Sequence, residues 1–272
     1  MKYCLDFIKQ NKDILNDVDE IYCSEISTLE TLCQHHSNKR IIIKILFKKE
    51  LLEAIQICKE TNNNYAISLL ADDKELISLL KEAKIPFFLN KLANTWDIFT
   101  ELMELGVSDI YITEELGFEL DKIATIAHKK GIQIRAFPNI CQSGSVSMPS
   151  LKSFFIRPED VSIYESYIDV LEFFGNEEKQ SILYKIYKDE KWFGKLKEII
   201  PNFDSELDSR FIIPHFAKQR IKCGKKCLKG GKCKICERIE QLSKALEKSN
   251  LLVKIDKKKE SEEEDGGKGT RE

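Results

Sequence analysis

The property that most constrains this chain is a regular alternation of strand-like and helix-like segments, at a period of roughly 20 to 25 residues. "RIIIKILF" is the continuous apolar run of a strand buried on both faces, and "KELLEAIQICKE" after it has helical spacing. The same couple recurs in "NYAISLL" with "DKELISLLKEA", in "IPFFLN" with "TWDIFTELMELG", and in "VSDIYIT" with "ELDKIATIAHKKG". Gly106 and Gly131 sit where helices end, and Asp72 or Asp73 where one starts. Eight strands are predicted, at about residues 20–24, 40–47, 65–70, 85–89, 109–112, 132–137, 153–157 and 168–173. The opening stretch "LDFIKQNKDILND", with Leu5, Ile8, Ile14 and Leu15 at helical spacing, is predicted as a helix.

Alternating units of this kind require a parallel sheet covered by helices, and eight of them point to a closed (β/α)8 TIM-like barrel. An open dinucleotide-binding sheet is the main rival. It would carry glycines after its first strand, and "YCSEISTLETL" has none. Both chain termini are expected outside the barrel. Chemistry on such a fold belongs to the C-terminal ends of the strands. There the sequence places Cys23, Ser24, Glu25, Lys48, Asn90, Lys91, Thr113, Glu114, Asn139, Cys141, Arg157, Glu159 and Glu172. Glu25, Glu114, Cys141 and Arg157 follow their strands most closely and are the expected catalytic residues, converging on one pocket. Arg157 precedes Pro158, which favours an extended backbone, so its planar cation is expected at the mouth, free for a carboxylate or phosphate or paired with Glu25 or Glu172.

Composition narrows the setting. A formal net charge of −2 over 272 residues offers no global attraction to nucleic acid or anionic membrane. No apolar run is long enough to span a membrane, and "MKYCLDFIKQNKD" lacks a signal-peptide core, so a cytoplasmic location is expected. Nine cysteines in that compartment read as free thiols and metal ligands. Cys4 and Cys58 read as small buried hydrophobes in helices.

The segments "GVSDIYITEELGFELDKIATIAHKKGIQIRAFPNICQSG" and "SFFIRPEDVSIYESYIDVLEF", with the α/β alternation, resemble the barrel of the collagenase-like peptidase family over roughly residues 20 to 175. That family includes members assisting oxygen-independent hydroxylation of ubiquinone precursors or RNA. The resemblance implies a barrel whose four cysteines hold an iron–sulfur cluster. The family's closely spaced Glu, Gly-Ser-Cys and second Cys are absent from this chain, whose Cys141 precedes a Gly- and Ser-rich loop instead.

Beyond the barrel, "RIKCGKKCLKGGKCKICERI" spaces Cys223, Cys227, Cys233 and Cys236 as C-x3-C-x5-C-x2-C. Four thiols this close can converge on one centre, with Gly224, Gly230 and Gly231 allowing sharp turns. Such a set holds a 4Fe–4S cluster or Zn²⁺. The compact spacing and the resemblance favour the cluster, with zinc as the alternative. Residues 218–238 contain nine Lys or Arg and one acid, which compensate thiolate charge or face RNA or a protein partner. With neither Tyr nor Trp there, base stacking has no platform. His215 could also ligate, but with four thiols already present it is not expected to.

The expected organisation is a barrel over residues 1–175, a helical extension with the four-cysteine site over 176–250, and a charged, disordered tail over 251–272. Trp192, Phe193, Leu196, Ile199 and Ile200 are expected to pack the extension on the barrel. Two functions fit. One is an enzyme or subunit whose mouth binds substrate and whose cluster supports redox chemistry, peptidase-like or hydroxylating. The other is a non-catalytic barrel with a structural zinc and a basic docking surface.

Overall fold

In a computed structural model of the chain, the described residues are 1–248 except 8–11, 62–63, 71, 114–115, 141–150, 152, 202, 204–206, 213–215, 222 and 224–233. Nine strands form one sheet: β1 (Lys2–Asp6), β2 (Glu20–Cys23), β3 (Arg40–Ile45), β4 (Tyr65–Leu69), β5 (Phe87–Leu89), β6 (Leu92–Ala93), β7 (Asp109–Ile112), β8 (Gln133–Ala136) and β9 (Val170–Glu172). Their order is β5-β4-β3-β2-β1-β9-β8-β7-β6, and every pairing is parallel. The two ends of that order, β5 and β6, are parts of one run separated only by Asn90 and Lys91. The run pairs with β4 through Phe87–Leu89 and with β7 through Leu92–Ala93. The Ser108 amide also donates to the Phe87 carbonyl at 2.7 Å. The sheet therefore curls back on itself as a parallel, TIM-barrel-like arrangement with helices between its strands.

Helices separate the strands: α1 (Lys12–Leu15), α2 (Ile26–His35), α3 (Lys48–Thr61), α4 (Lys74–Glu82), α5 (Trp96–Glu104), α6 (Leu120–Lys129), α7 (Val161–Tyr164) and α8 (Glu177–Lys188). Local chemistry sets their ends. The Asp73 carboxylate accepts from the Glu75 and Leu76 amides, Thr95 caps α5, and Asn176 caps α8. Gly106 and Gly131 adopt φ of 73° and 71° just past α5 and α6, the left-handed position that glycine fills without strain.

Two strand expectations are corrected. The opening stretch is a strand, not a helix, and it lies in mid-sheet. Cys4 pairs with Glu20 on one side and Glu172 on the other, so Cys4 is buried on β1, whereas Cys58 is buried on α3 as expected. The amino terminus thus begins inside the barrel wall. "SFFIRP" is not a strand of the sheet. Its Phe154, Phe155 and Ile156 are buried as a cover, with Phe154 edge-on to Phe118 and Tyr164, and Phe155 edge-on to Phe203.

The extension is joined to the barrel by packing. In α8, Tyr187 is buried, accepts from the Tyr3 hydroxyl at its carbonyl, and donates its own hydroxyl to the Ile156 carbonyl at 2.6 Å. Beyond it lie α9 (Leu196–Ile199), α10 (Phe216–Ile221) and α11 (Ile235–Lys248). Leu196, Ile199 and Ile200 are buried and Trp192 packs on the core, as expected, but Phe193 stands exposed. Arg220 pins α10: it donates to the Phe155 carbonyl at 3.2 Å and to the Ser153 carbonyl, with Phe118, Phe155 and Phe216 rings 4.4–5.1 Å from its guanidinium. The tail from 251 lies outside the described residues. Among the described residues no helix is long and apolar enough to cross a membrane.

Candidate functional site at the barrel mouth

Side chains alternate across a strand, so parity selects what enters the barrel. On β2 the interior takes Glu20 and Tyr22, leaving Cys23 on the outer face. On β3 it takes Arg40 and Lys44, on β7 Asp109 and Tyr111, and on β8 Gln133 and Arg135. The floor is an ion network. Arg40 grips both Asp109 oxygens at 2.8 and 2.7 Å and reaches Glu20 and Gln133 at 3.2 Å. Arg135, without solvent exposure, donates to Glu20 at 2.6 Å and Asp109 at 2.9 Å, while its other Nη lies 3.6 Å from Glu172. Its guanidinium also faces the Tyr22, Phe88 and Tyr111 rings. One cation thus connects the floor to the mouth.

Burial alone would raise the Asp109 carboxyl. The Arg40 hydrogen bonds and the charges of Arg135 and Arg40 overcome it and hold Asp109 at about 2. An unfolded aspartate titrates near 3.8, so the native carboxylate contributes stability above that pH and loses it as pH falls toward 2. The contribution is about 2 kcal/mol. Urea titrations from pH 6 to pH 2.5 on the wild type and Asp109→Asn check this. The stability gap between them is expected to narrow with acid, and a constant gap would refute the assignment.

Above the floor, a cavity of about 480 Å³ opens at the C-terminal ends of the strands, lined by Asp6, Tyr22, Lys44, Asn90, Phe137, Glu172, Phe173, Phe174, Gly175, Asn176 and Gln180. Lys44 donates to Asp6 at 3.2 Å and stands 4.3 Å from the centre of the Tyr22 ring. Gln180 fixes Asp6 from both directions, donating to its carboxylate at 3.0 Å and accepting from its amide at 3.3 Å. Glu172 accepts from the Tyr111 hydroxyl, which shares a hydrogen bond with the Tyr22 hydroxyl. Burial pushes the Glu172 carboxyl above its ordinary range, against the pull of Arg135, and holds both phenols well above theirs. Because 13 % of its side chain remains accessible, Glu172 can exchange a proton with whatever occupies the cavity.

Of the four residues expected to converge, Glu25 is exposed at the start of α2 and does not line the cavity. Arg157 is buried away from it. Asp160 takes its guanidinium at 2.7 Å through each of two oxygens, and the Ser209 carbonyl takes a third bond at 3.0 Å. Its partner is thus neither Glu25 nor Glu172. Glu114 and Cys141 lie outside the described residues, as do Cys227, Cys233 and His215. Cys223 and Cys236, the outer members of the thiol run, are half-buried against the core. Among the described residues no group of three or more His, Cys, Asp or Glu is placed to hold a metal ion.

Asn90 and Glu172 were legible as strand-end residues. Asp6, Tyr22, Lys44 and Gln180 were not, although a signal existed. Lys44 interrupts "RIIIKILF" and Arg135 interrupts "IQIRAF", and a charge inside a buried strand must have a partner within the barrel.

Neither a family model nor a curated protein sequence matches the chain. Solved structures similar to it match at low identity and with low TM-scores. A glycerol uptake operon antiterminator-related protein from Thermotoga maritima is 13% identical, with a TM-score of 0.40 over 63% of this chain and 93% of its own. A 4-hydroxy-2-oxoglutarate/2-dehydro-3-deoxyphosphogluconate aldolase is 12% identical, at 0.43 over 69% and 92%. A mutant tryptophan synthase alpha-subunit from Pyrococcus furiosus is 10% identical, at 0.40 over 74% and 95%.

Proposed function

We propose that the protein is an enzyme acting on a small oxygen-bearing molecule at the barrel mouth, with Glu172 as the proton-transfer group and Lys44 as the fixed cation. The observation that carries this reading is a buried carboxyl with a raised pKa opening onto a cavity of ligand size. A carboxyl in that state, which holds its proton more firmly than an ordinary glutamate, can give it to a ligand oxygen and take one back. Tyr111 fixes its orientation by donating to one oxygen, and Tyr22 in turn braces Tyr111. Lys44, held by Asp6, which Gln180 fixes in turn, offers its remaining N–H donors to a hydroxyl or carbonyl and stabilises negative charge developing there. Thermal denaturation against a panel of small hydroxy and oxo compounds tests the reading. At about 100 times its Kd a true ligand stabilises by about 2.7 kcal/mol, and Lys44→Met is expected to remove the shift. No stabilising compound, or equal shifts in the variant, would end the proposal.

The thiol run extends it. Cys223, Cys227, Cys233 and Cys236 are proposed as the ligands of one metal centre, a 4Fe–4S cluster with Zn²⁺ as the alternative, which supplies electron transfer in the first case and folding free energy in both. Half-burial of Cys223 and Cys236 on the core supports this, because the outer ligands are anchored before any metal arrives. Cys227→Ser is expected to purify with under a tenth of the wild-type metal and to be cleaved faster by protease within 218–240. Full metal content with unchanged protection would refute the site.

A further inference from the structure

We infer that the ligand of the mouth is an amphiphile, with an oxygen-bearing head in the cavity and an apolar chain lying across the rim. The inference rests on the reading of the mouth as a ligand site and adds its substrate class. Among the described residues the parallel strands deliver Leu46, Phe47, Leu70, Leu92 and Phe174 to the same end of the barrel, and all five are exposed. Phe47 and Phe174 are the most open of them, at 61 and 60 %. Single exposed apolar side chains need no explanation, but five at the end of the barrel that holds a polar cavity, one of them lining it, mark a contact surface.

Two of the contacts are held in place. Asn139, fully buried, donates to the Phe174 carbonyl at 2.8 Å and accepts from its amide at 2.9 Å, so the backbone under that ring is fixed from both directions. The Glu50 carboxylate accepts from the Leu46 and Phe47 amides, both at 3.1 Å, and fixes the second station. Phe174 is exposed and also lines the cavity, which makes the apolar path continuous with the polar pocket. Within, Phe137 stacks on Tyr111 with ring planes 2° apart and continues the apolar wall toward Glu172. A wholly polar ligand would leave this fixed apolar edge unused. A wholly apolar one would strip water from Lys44 and Glu172 without replacing its hydrogen bonds.

The test is calorimetric titration of the protein with 1-butanol, 1-hexanol and 1-octanol. Affinity is expected to rise about fourfold per methylene in the wild type. Phe174→Ser, a change at an exposed position, is expected to cut the gain below twofold. Phe193→Ser, exposed in the extension, leaves it intact and controls for adventitious apolar binding. Lys44→Met weakens every alcohol by a common factor. A flat wild-type series overturns the inference, as does an unchanged slope in Phe174→Ser. If small hydroxy or oxo compounds bind while the alcohol series is flat, the amphiphile fails and the mouth reading stands. If neither class binds, both fall.

Discussion

Replacing Arg135 by methionine is expected to destabilise the fold by about 3–5 kcal/mol, because it leaves buried carboxylates short of their cation. Glu20 and Asp109 retain Arg40, but Glu172 loses the guanidinium beside it. Methionine fills most of the volume, so the cost is electrostatic rather than a cavity. Glu172 would then respond to pH. Its carboxyl is already raised in the native state, so proton uptake there favours folding below the ordinary glutamate range, and that contribution is lost as pH rises through the native value. Removing Arg135 lifts the native value further. The Arg135→Met deficit should therefore be smaller at pH 5 than at pH 8 in urea denaturation. A deficit below about 1 kcal/mol, or one independent of pH, would show that the ion network contributes little.

The second large effect is expected at Arg220. This cation meets two carbonyls and three aromatic faces, and it ties α10 to the cover segment of Ser153 and Phe155. Arg220→Ala removes these bonds and opens space among Phe118, Phe155 and Phe216. A loss of about 2–4 kcal/mol is expected, concentrated in the extension. Hydrogen exchange should accelerate in 216–221 and in the amides of Phe154 to Ile156, while those of β2 to β4 stay protected. Uniform acceleration throughout the barrel would mean that extension and barrel unfold as one unit.

How much of this could be read in advance differs by element. "RIIIKILF" and "NYAISLL" identify themselves because a run buried on both faces has few alternatives. The first strand does not. "KYCLDFIKQNKDILND" satisfies helical spacing, and what makes Lys2–Asp6 a strand is the pair of neighbours at Glu20 and Glu172, one of them far away in sequence. "SFFIRP" fails for the converse reason: its apolar run is buried, but under aromatic side chains of the extension instead of beside a strand. The mouth was half legible. Its location follows from the fold, and Glu172 and Asn90 from strand ends, whereas Lys44 and Asp6 required the register that decides which side of each strand faces inward. Arg157 was misplaced because its partner was sought across the barrel, at Glu25 or Glu172, whereas Asp160, three residues on, is close enough to pair with it.

Placing β1 between β2 and β9 also fixes an order of events during synthesis. β1 has its near neighbour β2 about fifteen residues behind it, but its other edge stays open until Val170–Glu172 emerges. Residues 2–89 can assemble a five-stranded sheet early, yet that sheet lacks its last partner and leaves half of the ion network, Asp109 and Arg135, unmade. A nascent chain stalled after β5 would therefore display two bare edges, β1 and β5, with Glu20 and Arg40 left only each other as partners. Such an intermediate is a natural client for a chaperone that shields exposed strands until translation reaches the eighth repeat.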